Sequence, residues 1–163
     1  MDPLTVDHVR AVLNDLLPGT EITLFDDSTA TSQLAADAIG CELGQIAKSI
    51  CFMVNDAPIL VIASGDARVD TRKIATLLDV GRKKVKTAKP EQCIAVFGYA
   101  PGGVPPVGHR TPDIRKFVDS QLGRYETVYA AAGAHNSIFP VKFDDLVRVT
   151  GGEVADVHQE QKD

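Results

Sequence analysis

Cysteine is scarce in this chain: three residues in 163, at positions 41, 51 and 93, with no CxxC pair among them. An odd count at that spacing excludes a disulfide framework and argues against a zinc site, so no metal and no cofactor is expected. Cys51 and Cys93 lie in apolar runs and read as reduced packing residues, while Cys41 follows Gly40 at a predicted helix end. No apolar run approaches the ~20 residues that a membrane span needs. The opening MDPLTVDHVR has no basic region followed by an apolar stretch, so no secretory signal is expected and a cytoplasmic location is the default. Repeats, low-complexity segments and linkers are missing too, which makes 1–163 a single expected domain ending in a polar tail, HQEQKD at 158–163, expected to fray.

Familiar chemical signatures are also missing. No Gly-Lys-Ser/Thr completes a Walker A loop, no GxGxxG opens a helix, and no serine, histidine and acid suggest a triad. Excess positive charge is lacking: 22 acidic residues against 17 basic give a net charge of −5, which disfavours a general nucleic-acid binder. The basic residues are nevertheless clustered. RKKVKTAK at 82–89 carries Arg82, Lys83, Lys84, Lys86 and Lys89. Such a strip suits either local contact with a phosphate backbone or a solvated, lysine-rich turn beside an edge strand.

What is present reads as a mixed α/β chain. Val6, Val9, Leu13, Leu16 and Leu17 recur at helical spacing behind Thr5, and Ser32–Ile39 forms a second helix stopped by Gly40. A short strand is predicted at Glu21–Phe25. Residues 42–48 read as a helical turn, followed by a buried strand over 49–54. Ile59–Ala63 pairs with that strand as a hairpin across Asn55-Asp56-Ala57-Pro58. Asp70 caps a helix to Val80, and Gly81 stops it. Strands are predicted at Gln92–Phe97, Ile114–Val118, Thr127–Ala132, Ser137–Lys142 and Glu153–Val157, with a short helix at Phe143–Val149. The expected fold class is mixed α/β, one curved and largely antiparallel or mixed sheet surrounded by helices.

Two features point toward chemistry. The first is GYAPGGVPPVGHR at 98–110, four glycines and three prolines in thirteen residues. Proline stiffens such a loop, and glycine lets another group approach its main chain. Gly102, Gly103 and Val104 can present N–H donors to an anion, a carbonyl or an oxyanion; a tight connection needing unusual dihedrals explains the same residues. The second is Lys48, in QIAKSICFMV at the entrance to a buried strand. Facing a cleft, its ammonium is an electrostatic anchor with a lowered pKa; at a sheet edge, it merely snorkels.

TSQLAADAIGCELGQIAKSICF, then GYAPGGVPPVGHR, then ETVYAAAGAHNSIFPVKFDDLVRVTGG resembles the YbaK/prolyl-tRNA-synthetase-associated (ProX-like) editing domain family. The match runs in order from about Phe25 to Val157. Its strongest markers are the lysine of IAKS and Gly102-Gly103-Val104-Pro105-Pro106. The resemblance implies a curved sheet enclosing a small pocket. It also implies hydrolysis of the ester joining a wrong amino acid to a tRNA 3′ end, commonly proline tRNA carrying a small residue. Mischarged tRNA is then the partner, with prolyl-tRNA synthetase a candidate second one. Lys48 matches the family's functional lysine and Gly102–Pro106 its substrate loop.

On that footing Lys48, Gly102 and Gly103 are the expected catalytic groups. Phe25, Thr31, Ile46, Val104, Ala132, Gly133 and His135 are candidate pocket walls, completed by Pro106, Gly108 and His109 of the loop. Arg82, Lys83, Lys84 and Lys86 become the expected tRNA contact. Cysteine-clearing members carry GKRGLDIEL-like text, with an acidic residue, where this chain has GAHNSIFPV; alanine, cysteine, serine, threonine and a larger non-cognate group all stay open as the residue removed. A non-catalytic module binding a nucleotide or RNA end in the same pocket, or a docking domain for a synthetase or ribosome, are the alternatives.

Overall fold

Asn55 and Asp56 both take positive φ, 51° and 64°. This is the turn that joins two right-twisted strands without splaying them, and short polar Asn and Asp tolerate it. The hairpin it closes pairs β2 (Ile46–Val54) with β3 (Ala57–Ser64) along their whole length, from Ala47↔Ser64 to Val54↔Ala57. Around it, the computed structural model, which describes residues 1–160, builds one mixed eight-stranded sheet. The remaining strands are β1 (Thr23–Leu24), β4 (Val85–Thr87), β5 (Arg115–Asp119), β6 (Thr127–Ala131), β7 (Ser137–Lys142) and β8 (Glu153–Ala155). Their order is β1-β7-β6-β2-β3-β5-β8, with β4 also on β2. Contacts β2–β6, β3–β5 and β5–β8 are parallel, and the others antiparallel. The expected mixed α/β fold is therefore the observed one.

Both faces of the central strands are covered, which is why they read as continuous apolar runs rather than alternating ones. Ala47, Cys51, Leu60, Ile62 and Val118 face a core closed by helix α1 (Val6–Leu16), Phe97, Tyr99 and helix α5 (Phe143–Thr150). Phe52, Val54, Ile59, Val61 and Phe117 face the other way, onto Ile74 and Ala75 of helix α3 (Thr71–Leu78). Ala35 and Ala36 of helix α2 (Ser32–Ile39) cover Ile46 and Ile138 at one end. Thr5 and Asp70 cap α1 and α3 as predicted, accepting the N–H of His8 and Arg72, and Thr31, unforeseen as a cap, accepts the N–H of Leu34 at the start of α2. No helix of the described residues is long and apolar enough to cross a membrane.

Several expectations need correction. Gln92–Phe97 is not a strand. Pro90–Gln92 is a short helix, α4, that runs into a π-helical turn at Cys93–Phe97, closed by Gly98 N–H on Cys93 C=O at 2.8 Å. Pro90 suits the first helical position, and Gln92 accepts the Lys89 N–H at 2.8 Å. The five-residue apolar run CIAVF carries no period that separates strand from helix, and burial of Cys93 and Phe97 decides it. β2 begins at Ile46, so Lys48 lies within the strand rather than at its entrance. α3 ends at Asp79 in the left-handed region, two residues before Gly81. β1 keeps only two residues. β4, unforeseen amid lysines, exists because buried Val85 anchors it to β2. The tail does not fray from 158: His158 bridges to Val69, Gln159 N–H reaches Arg68 C=O at 2.7 Å, and His158 Nδ1 lies 2.9 Å from buried Asp119. Residues 161–163 of the expected tail fall outside the described residues.

The loop after the π-helical turn is held from inside. His109 Nε2 meets Pro105 C=O at 2.7 Å, and its ring stands edge-on to Phe97 and Tyr99 at 6.2 and 6.3 Å. Tyr99 donates to Gly108 C=O at 2.6 Å. His109, expected at the substrate, is thus an internal strut, as Nε2–H donor to Pro105. Burial, reinforced by Lys116 and opposed by the Pro105 hydrogen bond, pushes its pKa down to about 4. The unfolded chain binds a proton near pH 6.5 that the folded chain refuses until about pH 4, so stability falls as pH drops through that window. The difference amounts to about 3 kcal/mol. Urea unfolding between pH 7 and 4 should show this loss, and His109→Gln should flatten it.

Candidate active site

β3 occupies one whole edge of β2, so β6 and β4 must share the other. β6 pairs only at Ile46↔Tyr129 and Ala47↔Ala130, and β4 only from Phe52↔Thr87 to Val54↔Val85. Residues 48–51 between them have no strand neighbour on that side. A cavity of about 280 Å³ opens at this gap. Its wall includes Ile46, Ala47, Lys48 and Ser49 of β2, Tyr129, Ala130 and Ala131 of β6, and Ser137 and Ile138 of β7. The segment from Thr29 to Ser32, with Ala35 behind it, closes a further side, and Gly102 and Val104 of the glycine-proline loop complete the rim.

Of the residues singled out in the sequence, Lys48, Gly102, Val104, Thr31 and Ile46 meet in this cavity. Lys48 is half-buried, and its ammonium donates to Ala67 C=O at 2.5 Å. Burial lowers its pKa; Asp66 pulls it back up, and Arg68 adds to the lowering. Gly102 has φ +89°, and a Cβ there would sit 2.9 Å from Ala30 Cβ. Glycine is therefore required twice, by the dihedral and by the close approach of the loop to the 29–32 segment. The N–H groups of Gly102 and Val104 bond no other described residue.

Gly103 does not serve as a donor. Its N–H goes to Ala100 C=O at 3.1 Å, and its C=O accepts Gly133 N–H at 2.9 Å. A Cβ on Gly103 would come within 3.1 Å of three main-chain atoms of Ala134, so its glycine is a packing requirement. Gly133 is the partner in that latch rather than a wall. Ala132 is fully buried in the core, and Pro106 is buried away from the cavity. Gly108 offers its carbonyl to Tyr99 and His8. His135 exposes its side chain, while its carbonyl holds Thr29 through N–H at 2.6 Å and hydroxyl at 3.1 Å. Phe25 packs against the cluster of Ala35, Ala36, Ile46 and Ile138 and does not line the cavity.

Other wall residues escaped the sequence reading. Thr29, Ala30, Tyr129 and Ser137 reach the site only because β6, β7 and the 29–32 segment converge there. Ser49 was legible as the neighbour of Lys48, but its position in the gap was not. Cys51 C=O takes Ala88 N–H at 2.9 Å across the same edge, and strand alternation turns the main chain of Ser49 that way too. Ser49 Oγ is buried without a partner among the described residues, at a cost of about 1–3 kcal/mol relative to a paired hydroxyl. Cys41 is half-buried, and burial raises its thiol pKa, contrary to what an activated nucleophile needs. Asp119, Asp156 and His158 bring ligand atoms within 4.8 Å of one another, but Asp156 is held by Lys73 at 2.9 Å and Asp119 by the N–H of Val157.

The basic strip lies further along the same edge. Arg82–Lys84 form a 3₁₀ turn, and Lys86 stands on β4 opposite Met53; Arg82, Lys83, Lys84 and Lys86 are all exposed. Lys84, Lys86 and Lys89 line a groove of about 390 Å³ with Asn55 and Gln92. Met53 stands four residues beyond Ser49 along β2, a distance of about 13 Å.

A solved structure described as a candidate trans-editing enzyme for prolyl-tRNA synthetase superposes with a TM-score of 0.88 at 34% identity, covering 95% of this chain and 97% of its own. The uncharacterized protein YwhH of Bacillus subtilis is 36% identical over 135 residues, 82% of this chain and 83% of that protein. EbsC of Enterococcus faecalis, described as a candidate Cys-tRNA(Pro)/Cys-tRNA(Cys) deacylase, is 23% identical over 134 residues, 82% of this chain and 80% of its own. Residues 26–149 match the model of the aminoacyl-tRNA editing domain, and with that span holding every wall of the cavity, the chain belongs to the aminoacyl-tRNA editing domain family.

Proposed function

We propose that this protein is a trans-acting aminoacyl-tRNA deacylase that clears a small non-cognate amino acid from a mischarged tRNA, with proline tRNA the favoured carrier. One observation carries the reading: a single small cavity joins the half-buried ammonium of Lys48 to the loop bearing the N–H groups of Gly102 and Val104. Family membership and likeness to the candidate trans-editing enzyme support it. At about 280 Å³ the cavity lies just below the usual range of small-molecule pockets. It has room for a short aminoacyl group, and the nucleotides that carry the group stay outside, toward the basic groove.

The reaction adds water to an already activated ester. Water attacks the carbonyl carbon, a tetrahedral oxyanion forms, and the bond to the ribose oxygen breaks. The amino acid leaves as a carboxylate and the ribose regains its hydroxyl. The protein's task is to orient the ester and stabilise the oxyanion as charge develops. Gly102 and Val104 supply main-chain donors held by the latched loop. Lys48 exchanges its Ala67 carbonyl for a substrate phosphate, carbonyl or oxyanion. The terminal ribose hydroxyl or a bound water relays the proton. Selectivity follows from the walls at Thr31, Ile46 and Ala130, where one methylene is worth only about 1–3 kcal/mol. An editing site gains by rejecting the cognate residue on volume.

Lys48→Ala should lower deacylation of a sensitive mischarged tRNA about a hundredfold while the protein stays folded. A panel of alanyl, cysteinyl, seryl and threonyl tRNAs identifies the residue removed, and undiminished hydrolysis by the variant contradicts the role of Lys48. Gly102→Ala should displace the loop from Ala30 and reduce kcat, read in the same assay with circular dichroism as the control. Charge reversal at Lys83, Lys84 and Lys86 should weaken tRNA binding and reduce the slope of log Kd against log salt by about one for each phosphate no longer neutralised. Unchanged affinity returns the strip to an ordinary solvated surface.

A further inference from the structure

We propose that Arg124 is a positioning residue for Lys48: it holds the Asp66 carboxylate and so keeps that carboxylate from neutralising the ammonium that meets the substrate. The proposal rests on the reading of Lys48 given above. Neither Arg124 nor Asp66 lines the cavity. Asp66 lies in the turn after β3, and Arg124 reaches it from the segment before β6.

Lys48 ends on Ala67 C=O, and Asp66 is the preceding residue of the same turn, which Ala67 N–H closes on Ser64 C=O at 3.0 Å. Asp66 is therefore the acidic group delivered to the head of Lys48, with Arg68 the other charge bearing on it. Arg124 stands at the end of the 3₁₀ segment Ser120–Arg124, which leads into β6. Its Nη2 lies 2.9 and 3.2 Å from the two Asp66 oxygens and 3.0 Å from Ser64 Oγ. Its Nε donates to Gln121 C=O at 2.8 Å, and the guanidinium lies over the Tyr125 ring at 5.1 Å. Partners on separate parts of the chain thus fix one side chain that is otherwise free to wander.

An independent observation says this arrangement is built in. A Cβ on Gly44 would meet Tyr125 OH at 2.5 Å, Arg124 Nη2 at 2.9 Å and Asp66 Oδ2 at 2.9 Å. Glycine at 44 is what leaves room for the pair. Stability does not explain the pair well, because partly exposed ion pairs contribute about 0–1 kcal/mol. Charge placement does. Burial raises the Asp66 pKa, yet hydrogen bonding to Arg124 and Ser64 and the charge of Arg124 leave it below the usual carboxylate range, so Asp66 stays ionised in the turn that meets Lys48. Asp66 also draws the Lys48 pKa upward against burial. With Arg124 removed, an unpaired carboxylate next to a half-buried ammonium pairs with it. The ammonium then has a permanent partner and leaves the substrate. Tyr125 and Asp119 also face Arg124, and neither lies in the turn that carries Asp66.

The test compares wild type, Arg124→Ala, Arg124→Gln and the double variant Arg124→Ala/Asp66→Asn. The first readout needs no substrate: titration of Lys48 by NMR on isotope-labelled lysine, assigned with Lys48→Ala. The second is kcat/KM on the mischarged tRNA that the panel above identifies. Arg124→Ala and Arg124→Gln should each raise the Lys48 midpoint and lower kcat/KM about tenfold. The double variant should return the midpoint to the wild-type value or below and recover most of the missing rate. An Arg124 variant that titrates like wild type, or a double variant as slow as Arg124→Ala, overturns the proposal. Should Arg124→Ala not fold, Arg124→Gln carries the same comparison, paired with Asp66→Asn. Full activity of Lys48→Ala would instead refute the functional reading, while the titration still decides whether Arg124 controls the charge around Lys48.

Discussion

The divided edge of β2 is the constraint from which the rest follows. β3 takes one side of this strand completely, and neither β6 nor β4 is placed to cover the other alone. A buried strand with an unfilled edge is costly, because its main-chain groups need partners that the protein does not provide. Here the opening is kept, walled by small residues such as Ala35, Ala47, Ala130 and Ala131, and rimmed by a glycine loop. Larger side chains at these positions would fill it. Small walls, unpaired edge groups and a lysine in the strand form one arrangement, and each makes sense only with the others.

The loop across the opening is held from inside the protein. His109, Tyr99 and Pro105 pin it from the core side, while Gly103 and Gly133 share a main-chain bond at 2.9 Å. Residues that look chemical in the sequence, a histidine above all, are spent on holding neighbouring main-chain donors in place. A donor held by covalent geometry and packing needs no reorganisation when charge develops opposite it. The same logic extends to charge: Lys48 is half-buried, and the Asp66–Arg124 pair lies just behind it.

Electrostatics on the larger scale are arranged along one line. The chain carries a net charge of −5, yet Arg82, Lys83, Lys84 and Lys86 stand together on β4 and the turn before it, along the edge that the cavity shares. A net negative chain disfavours indiscriminate attachment to nucleic acid. β4 is what holds the strip at a fixed distance from the opening, and Val85 is what holds β4.

Much of this was legible from residue order. Thr5, Asp70 and Gly40 mark helix ends through chemistry confined to one turn, and the apolar runs of β2 and β3 announce strands buried on both faces. Lys48 and the glycine-proline loop stood out because their residue types are unusual for their settings. Local pattern could not say that CIAVF coils, since five apolar residues suit either form and only the neighbours of Cys93 and Phe97 choose between them. Nor could it separate Gly102 from Gly103, or His109 from a ligand contact. Those assignments depend on where Ala30, Ala134 and Phe97 lie in space, and Ala30 and Ala134 come from distant parts of the chain. Short-range dihedral and capping preferences are written in neighbouring residues; which face of a loop meets a cavity is set by long-range packing, and only the folded arrangement decides it.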